Sequence, residues 1–441
     1  MDLLIFLEYK TARTDYIFHH IFHDILGLKI KYTTDKSFFI NYKLPKIQYG
    51  FKSICNDQSV FFQSVDLLFE NDIKKQEIVV SSFRDYKIFF MCESDNSVFP
   101  FDVFAASFYM VTRYEEYVAL ERDDLGRFLA DSCLAVKHNF LDYPIVDKWI
   151  IHLKKILKEN FPGIKFKNQK FEFINTIDVD SAYSYLDKGV FRTFISVCKD
   201  VLLFNFKNLK SRLQVIFFGA TDPYDNFDKI LELHNKYNLK TFFFFLLSDL
   251  SYYDRNTKFN TKRFVNLISK IYKTCHVGIH ASFFSSKNFN KLNLEISRLS
   301  KLINSQVINN RQHYINLDMP KTYRNLIKNG IQHDFSMGFP SHPGFRAGTS
   351  YSFHFFDLSS NCSTNLEIHP FAIMDVTLKD YLKLNHEEAF DVIKKIVQSI
   401  IEVNGNFISI FHNESLDDSG RWAEWSKLYE NMICFINDEK H

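Results

Sequence analysis

Apolar and polar positions follow two different patterns along the chain, and the change between them falls at residues 160–170. Before this segment, short apolar or alternating runs predict strands, and two stretches with apolar residues at helical spacing predict helices. The predicted elements of this first part are strands at 3–7, 38–42, 78–80 and 88–91 and helices at 102–120 and 144–157.

After residue 170, strand-like runs that are apolar almost throughout alternate with helical stretches. The predicted strands lie at 171–177, 240–247, 276–280, 307–315, 332–337, 366–368 and 407–411, and the predicted helices at 225–237, 261–272, 292–304, 321–329 and 387–403. This alternation is typical of a parallel α/β sheet or barrel. About seven strands predict an incomplete barrel rather than an eightfold one.

The segment 160–170 contains a Pro-Gly pair and three lysines, which favours a domain boundary. We therefore expect an N-terminal α+β domain of unknown role at 1–165 and an α/β barrel domain at 166–441. The 54 Lys and Arg residues nearly balance 52 Asp and Glu, so the net charge of +2 gives no reason to expect nucleic acid as a partner.

Cysteine usage and apolar run lengths predict the compartment. The seven cysteines are scattered without a C-x-x-C pair, as expected for reduced thiols in a cytoplasm. The apolar run near the N-terminus has five residues, too few for a signal peptide, and the longest run, 242–247, is far short of a membrane span. The sequence thus predicts a soluble, cytoplasmic protein with no membrane span.

Acidic and imidazole side chains follow several predicted strands at their carboxyl ends, where parallel α/β structures collect their ligands. Asp178 and Asp180, at i and i+2, point the same way on an extended chain. His280 closes the third strand of the second part. Asp180 and His280 would supply an oxygen and a nitrogen donor for a divalent metal such as zinc. Helix or turn capping for the aspartates, and an ordinary hydrogen-bonded role for His280, are the alternatives.

Two further strands carry candidates. Arg311 could hold and orient a carboxylate, with a structural salt bridge as the alternative. His313, two residues on, points to the same side and is a possible third metal ligand. His412 ends the last strand, and histidine is the side chain best able to donate a proton near neutral pH. Its alternative role is to cap the following loop. Asp375 could orient His412 as a carboxylate partner.

Together these residues resemble the motifs of the polysaccharide deacetylase family, carbohydrate esterase family four, over about residues 171–436. The segment Thr176-Ile177-Asp178-Val179-Asp180 is similar to the first motif, His280 to the start of the second, Arg311 to the third, and Ile410-Phe411-His412 to the last. The resemblance implies a distorted (β/α)7 barrel. Segments 101–108, 113–117, 311–314 and 344–349 are similar to a bacterial subgroup that adds an uncharacterised N-terminal domain.

The resemblance also implies roles. Asp178 would be the general base, Arg311 would position it, and His412 would be the general acid, while Asp180 and His280 would bind a divalent metal, most simply zinc. The family has a second histidine where this chain has Phe284. Either His313 or His369 supplies the missing nitrogen, and we favour His313 because its predicted strand neighbours that of His280; otherwise the site binds metal weakly or not at all.

The implied function is a metal-dependent hydrolase that removes an acetyl group from the nitrogen of a sugar or glycan precursor. The alternative is a non-catalytic carbohydrate-binding or scaffolding protein that keeps the barrel and lacks a full metal site. Arg346, Tyr314 and Trp425 are candidate substrate contacts. An ion pair for Arg346 and core packing for Trp425 are the competing interpretations.

Overall fold

The computed structural model describes residues 2–43, 45–54 and 60–439, and in this part the chain is a mixed α/β structure. The strands are β1 (Asp2–Leu7), β2 (Lys29–Thr33), β3 (Lys46–Gly50), β4 (Val60–Gln63), β5 (Ser81–Phe83), β6 (Tyr86–Ile88), β7 (Glu172–Val179), β8 (Lys240–Phe245), β9 (His276–Ala281), β10 (Asn309–Gln312), β11 (His333–Asp334), β12 (Phe353–Asp357), β13 (Cys362–Ile368), β14 (Ile373–Met374) and β15 (Asn406–His412).

The α-helices alternate with these strands over most of the chain. They are α1 (Ala12–Phe18), α2 (Lys36–Asn41), α3 (Val103–Val111), α4 (Tyr114–Val118), α5 (Leu134–Lys137), α6 (Ile145–Asn160), α7 (Val190–Leu202), α8 (Phe206–Phe218), α9 (Phe227–Lys236), α10 (Lys262–Tyr272), α11 (Phe289–Ile303), α12 (Lys321–Lys328), α13 (His386–Ile401) and α14 (Trp425–Glu439).

The first sheet has the order β2-β1-β3-β4, and every neighbouring pair is parallel. Parallel strands need crossover connections, and those from β1 to β2 and from β2 to β3 run through α1 and α2. Because β5 and β6 form a separate antiparallel pair, the α+β organisation of the N-terminal part stays a prediction. The predicted strand at 38–42 is wrong. Asp35 caps α2 by accepting a hydrogen bond from the Phe38 amide at 3.0 Å, so this apolar run is helical.

The second sheet has nine strands in the order β12-β13-β11-β10-β9-β8-β7-β15-β14. All neighbouring pairs are parallel except β12 and β13, which form an antiparallel pair at one edge. The predicted α/β class is confirmed, whereas β12 and β14 were missed. In the described part of the chain no ladder joins β14 to β12, so closure of the predicted barrel is not established.

The second sheet curls around an interior apolar cluster. Phe335, just after β11, packs against Phe242 and Phe244 of β8, three strands away in the sheet order, at ring-centroid distances of 4.8 and 5.3 Å. A Cβ atom at Gly278 would come within 2.6 Å of the Phe244 ring, so this close approach requires glycine. The interior cluster consists of Ile174, Phe242, Phe244, Ile315, Phe335, Phe371, Met374, Ile408 and Ile410.

Residues 1–165 and 166–441 share buried contacts, while their division into two domains stays a prediction. Asp147 of α6 accepts hydrogen bonds from the Ser350 amide and hydroxyl at 2.8 and 2.6 Å. Glu116 of α4 pairs with Arg346 at 2.7 Å, and both are buried. These contacts fix the N-terminal part against the second sheet.

The six described cysteines are free thiols, and Cys55 lies outside the described residues. None of the helices in the described ranges has both the length and the apolar character needed to cross a membrane.

Candidate active site

Three potential metal ligands meet at the carboxyl ends of the parallel strands. Asp180 follows β7, His280 lies on β9 and His313 follows β10. His280 Nε2 is 3.1 Å from Asp180 Oδ1, and His313 Nε2 is 3.3 Å from Asp180 Oδ2. One ligand atom from each residue lies within 4.8 Å of the other two. We call these three residues the carboxyl-end cluster.

Both imidazoles of the carboxyl-end cluster are held by a contact at Nδ1, the ring nitrogen that faces away from the site. His280 Nδ1 lies 3.0 Å from the Arg311 carbonyl oxygen, and His313 Nδ1 lies 2.9 Å from Asp254 Oδ1. Because a carbonyl oxygen only accepts, the hydrogen of His280 sits on Nδ1 and its Nε2 lone pair is left for the site. A carboxylate behind a ligating histidine has the same effect, so both Nε2 atoms are oriented as metal ligands are.

Asp254 is itself held in place. It accepts hydrogen bonds from the Phe283 amide at 3.0 Å and the Ser251 hydroxyl at 2.8 Å. Burial favours a higher pKa for Asp254, but the hydrogen bond from His313 and its charge outweigh burial and lower the pKa.

The two carboxylates beside His313, those of Asp180 and Asp254, change its pKa in the opposite direction and raise it. Burial alone would lower the pKa of His313, but the charge of Asp180 and the hydrogen bonds to Asp180 and Asp254 raise it to about 9. The same contacts with His313 and His280 hold the pKa of Asp180 well below its usual range, although burial acts against them. The cluster therefore attracts positive charge strongly.

The donor set of the carboxyl-end cluster fits a divalent metal. Ligands bound to tetrahedral zinc at about 2.0–2.1 Å lie roughly 3.3 Å from one another. The carboxylate-to-imidazole distances of 3.1 and 3.3 Å match this spacing. Asp180 Oδ1 is buried without a hydrogen-bond partner, as expected for an atom whose partner is a cation.

Asp178 is buried on β7 and lies two residues before Asp180. Its Oδ2 atom is 3.7 Å from His280 Nε2 and 3.8 Å from Arg311 Nη1, and its Oδ1 atom is buried without a hydrogen-bond partner. The fully buried Arg311 donates to the Thr176 hydroxyl at 2.8 Å and lies over the Phe244 ring, 5.0 Å from its centroid. Asp178 is thus positioned by a cation and keeps one oxygen free.

His412 ends β15 and is backed by Asp375. Its Nδ1 atom lies 2.8 Å from Asp375 Oδ1, and its amide donates to Asp375 Oδ2 at 2.7 Å. Burial would lower the pKa of His412, but the Asp375 carboxylate, with the charges of Asp180 and Asp178, raises it well above its usual value. The imidazole is therefore held protonated, with Nε2 left for the cavity that His412 lines.

A cavity of about 230 Å³ joins these groups. Besides the catalytic candidates, Tyr314 lines it and is 38% exposed, so this side chain is accessible to a ligand. The N-terminal part contributes Arg127, which donates to the Tyr314 carbonyl oxygen at 2.6 Å and pairs with Asp123. Residues 1–165 therefore supply part of the cavity wall.

Three sequence-based candidates lie elsewhere. Arg346 is buried in a bidentate pair with Glu116 and does not line the cavity, so its predicted substrate contact is corrected to a structural ion pair. Trp425 is 1% exposed and packs against Trp422 at 5.2 Å, so it is a core residue. His369 lies toward the opposite end of the sheet, leaving His313 as the histidine beside Asp180 and His280.

Sequence reasoning missed three residues that complete the site: Asp254, Arg127 and Arg421. Asp254 lies in the loop after β8, Arg127 in a loop of the N-terminal part, and Arg421 near the start of α14. Arg421 pairs with Asp380 at 3.0 Å on the rim of the cavity. Loop residues follow no periodic pattern of apolar positions. The aspartate and arginine content of these loops is the one feature of the sequence that could have identified them as site candidates.

Comparisons with known proteins give a partial family match and distant structural similarities. Residues 3–162 match a family model described as a family of unknown function, DUF7033. No curated protein matches the chain.

Solved structures with detectable similarity include several polysaccharide deacetylases. A Mycobacterium smegmatis protein described as a polysaccharide deacetylase is 11% identical, with 62% of this chain and 85% of that chain covered and a TM-score of 0.41. A Pseudomonas aeruginosa protein described in the same way is 12% identical, with coverages of 60% and 84% and a TM-score of 0.37. Puue allantoinase is 11% identical, with coverages of 62% and 84% and a TM-score of 0.39. Similarity at this level assigns no activity to the chain, so function has to be argued from the site.

Proposed function

We propose that this protein is a metal-dependent hydrolase that removes an acetyl group from the nitrogen of a sugar or glycan precursor. In this proposal its second sheet corresponds to the (β/α) barrel of polysaccharide deacetylases. The observation that carries the proposal is the convergence of Asp178, the carboxyl-end cluster and His412 on one cavity. A base, a metal-ligand set and an acid are the three parts that a metal-assisted hydrolysis of an amide by water uses.

Asp180, His280 and His313 would hold the metal. A bound zinc ion would supply Lewis-acid polarisation of the acyl carbonyl and of the attacking water. The chain prepares for this by directing both Nε2 atoms to the site through the contacts of the two rings with the Arg311 carbonyl and Asp254. His313 thereby takes the place of the histidine that Phe284 replaces.

Asp178 would accept the proton of the attacking water. Its Oδ1 atom has no hydrogen-bond partner, so a lone pair is available, and its Oδ2 atom faces Arg311 and His280. Arg311 cannot rotate away, because Thr176 and the Phe244 ring hold it. A base whose orientation is fixed in this way transfers a proton without reorganisation.

His412 would protonate the departing amine. Asp375 fixes Nδ1 of His412 and raises its pKa, so the imidazole carries the proton it has to give. The cavity of about 230 Å³ is smaller than the pockets that bind drug-sized ligands, which suits a short acyl group with one sugar ring at the mouth. Tyr314 would contact that ring.

The test is acetate release from N-acetylglucosamine oligomers by the zinc-loaded full chain. We expect Asp178→Asn and His412→Ala each to lower kcat by about 10²–10⁴, the usual contribution of a proton-transfer group. Asp391→Asn, at an exposed carboxylate on α13, is the matched control and should leave kcat unchanged. If the parent binds the oligomers and releases no acetate, the protein is instead the carbohydrate-binding alternative.

A further inference from the structure

A second group of potential metal ligands lies near the amino ends of the central strands. His333 begins β11, Glu367 lies on β13 and His369 follows β13. His333 Nδ1 is 3.1 Å from His369 Nε2 and 3.3 Å from Glu367 Oε2, and His369 Nε2 is 3.8 Å from Glu367 Oε2. We call these three residues the amino-end cluster.

The amino-end cluster is separate from the carboxyl-end cluster. Glu367 and His369 line a cavity of about 530 Å³ that Glu172, Lys240 and Asn406, the first residues of β7, β8 and β15, also line. The interior apolar cluster lies between the two ends of the second sheet. Its Phe335 ring stacks on the His369 ring, with the ring centroids 4.4 Å apart. No ligand of the carboxyl-end cluster lines this second cavity.

Local hydrogen bonds fix part of the amino-end cluster. The Glu367 amide donates to the Gln332 carbonyl oxygen and the His369 amide to the Asp334 carbonyl oxygen, each at 2.8 Å. The Ser352 hydroxyl lies 2.7 Å from His369 Nδ1, so the Nε2 atom of that ring is turned toward Glu367. The backbone and one ring are therefore fixed before any ligand arrives.

We propose that the amino-end cluster is a second binding site for a zinc-class divalent cation. The distances of 3.1, 3.3 and 3.8 Å bracket the roughly 3.3 Å that separates ligands around tetrahedral zinc. Two imidazole nitrogens and one carboxylate oxygen are the donors that this class of cation prefers. His354 is opposite Glu367 in the antiparallel pairing of β12 and β13, and it lines the same cavity, so it is a candidate for a fourth ligand.

Zinc stoichiometry tests the proposal with four versions of the full chain. They are the parent, the amino-end variant His333→Ala/His369→Ala, the carboxyl-end variant Asp180→Ala/His280→Ala, and the combination of all four substitutions. Each is equilibrated with Zn²⁺, freed of excess metal and analysed by mass spectrometry, with circular dichroism as the check on folding. We expect the amino-end substitutions to remove one zinc per chain in both backgrounds.

The result does not depend on the proposed hydrolase function. The zinc lost on the amino-end substitutions is measured both in the parent and in the carboxyl-end variant. If the amino-end substitutions leave the zinc content unchanged in both backgrounds, the proposal is overturned. Should the double variant fail to fold, Glu367→Gln replaces it, since it keeps the size of the side chain. The visible absorption of bound Co²⁺ then reports the site, and an unchanged spectrum in Glu367→Gln likewise overturns the proposal.

An independent observation concerns the helical hairpin of α7 and α8, whose outer face is apolar. Its exposed apolar side chains are between 47% and 90% accessible, and they are Val190, Phe191, Phe194, Ile195, Val201, Leu202, Leu203, Phe204, Phe206, Phe217 and Phe218. So many exposed apolar side chains on one pair of helices mark an interaction surface rather than scattered surface residues.

The hairpin is also basic. Lys199, Lys207 and Lys210 are exposed on it, and the only acidic residue between 188 and 218, Asp200, is buried against Arg212 at 2.9 Å. The chain as a whole is nearly neutral, with a net charge of +2. Positive charge is therefore concentrated on the segment that also exposes the phenylalanines.

We propose that this hairpin binds the surface of an anionic membrane. Exposed aromatic and aliphatic side chains beside lysines, without acidic neighbours, are the features of a helix that lies in the lipid interface. The hairpin is anchored to the protein by Arg192, which donates to the Arg255 and Asn256 carbonyl oxygens at 3.1 and 3.3 Å. The apolar face can thus enter the interface while the second sheet stays in water.

Flotation with lipid vesicles tests this second proposal. We expect the parent to float with phosphatidylglycerol-containing vesicles and less with pure phosphatidylcholine, and Phe191→Ser/Phe218→Ser to bind at least tenfold more weakly. Leu120→Ser, at a residue 95% exposed in the N-terminal part, is the control and should float like the parent. The proposal is overturned if the phenylalanine variant floats as well as the parent. It is also overturned if the parent does not bind vesicles and is a dimer that the phenylalanine substitutions convert to a monomer.

Discussion

The two ends of the second sheet carry the same donors, two imidazoles and one carboxylate, but differ in what stands behind them. At the carboxyl end, a backbone carbonyl fixes His280 and the buried Asp254 fixes His313. At the amino end, the neutral Ser352 hydroxyl contacts Nδ1 of His369, and the three donors are partly exposed. Burial and charged partners therefore distinguish the clusters more than the ligands do.

The groups beside the donors differ as well. Asp178, with a free oxygen, and His412, backed by Asp375, lie beside the carboxyl-end cluster. Beside the amino-end cluster, the charged Glu172 and Lys240 pair with each other at 2.8 Å. At the carboxyl end, a carboxylate with a free oxygen and an imidazole with a free Nε2 atom line the same cavity as the metal-ligand set, which makes this end the candidate for catalysis.

The largest effect is expected from Asp375→Asn. An amide cannot hold the charge of His412, so kcat should fall by about 10²–10⁴. Because Asp375 raises the pKa of His412, its loss should also move the alkaline limb of the kcat profile to lower pH. Acetate release measured across pH checks both effects, and Asp375→Glu should restore part of the activity.

The same comparison predicts that Glu367→Gln, at the amino end, leaves kcat at the level of the parent. A fall in kcat as large as that of Asp375→Asn, with folding intact, would show that both ends take part in the reaction. The functional distinction between the clusters would then be wrong.

A smaller effect is expected from Asp254→Asn. Losing a carboxylate behind a ligating histidine typically weakens metal binding by about 10–100-fold, here at the carboxyl-end cluster. Competition with a chromophoric chelator in the amino-end variant isolates this site. Asp249→Asn, at an exposed carboxylate earlier in the same loop, is the matched control and should bind zinc like its parent.

A still smaller effect is expected from Ser352→Ala. The hydroxyl is neutral, so its removal should weaken zinc binding at the amino-end cluster by less than about tenfold. The same chelator competition, carried out in the carboxyl-end variant, measures it. Weakening as large as that of Asp254→Asn would contradict the claim that charged partners separate the two clusters.

The carboxyl-end residues could be proposed from the sequence because they follow a local pattern. Asp178, His280 and His412 each end an apolar run, and strand ends in a parallel sheet meet at one edge. The α/β class followed from the same runs. Their catalytic and metal-binding roles stay predictions.

The residues that sequence reasoning missed depend on contacts between distant segments. Asp254 lies in a loop, and the amino-end cluster depends on the pairing of β11 with β13, which places His333 beside Glu367. The predicted substrate contacts of Arg346 and Trp425 were wrong for a related reason. An arginine between glycines or a tryptophan on a helix has the same local pattern in a core as at a surface, and only packing decides.

Asp147, a buried carboxylate without a histidine partner, can be compared with Asp254. Asp147 is fully buried, and its partners are the Thr349 and Ser350 hydroxyls and the Ser350 amide. Burial raises its pKa to about 7, although these hydrogen bonds act against the increase. Asp254, which faces His313, has a lowered pKa. The partner's charge thus decides the direction.

This difference predicts a stability profile. The folded protein keeps the Asp147 proton up to about pH 7, whereas the unfolded chain releases it near its ordinary value of 3.8. The free energy of unfolding should therefore fall as pH rises from about 4 to 7, by roughly 4 kcal/mol at most, and then level off. Asp147→Asn, which cannot titrate, should show a smaller fall than the parent in urea unfolding across pH, while burial also raises the pKa of Glu295 to about 7 and that of Asp102 to about 6, so these two groups keep part of the fall. Asp391→Asn should follow the parent. A parallel decline in Asp147→Asn would assign the titration to another group, and zinc content should be the same in all three proteins because neither cluster contacts Asp147.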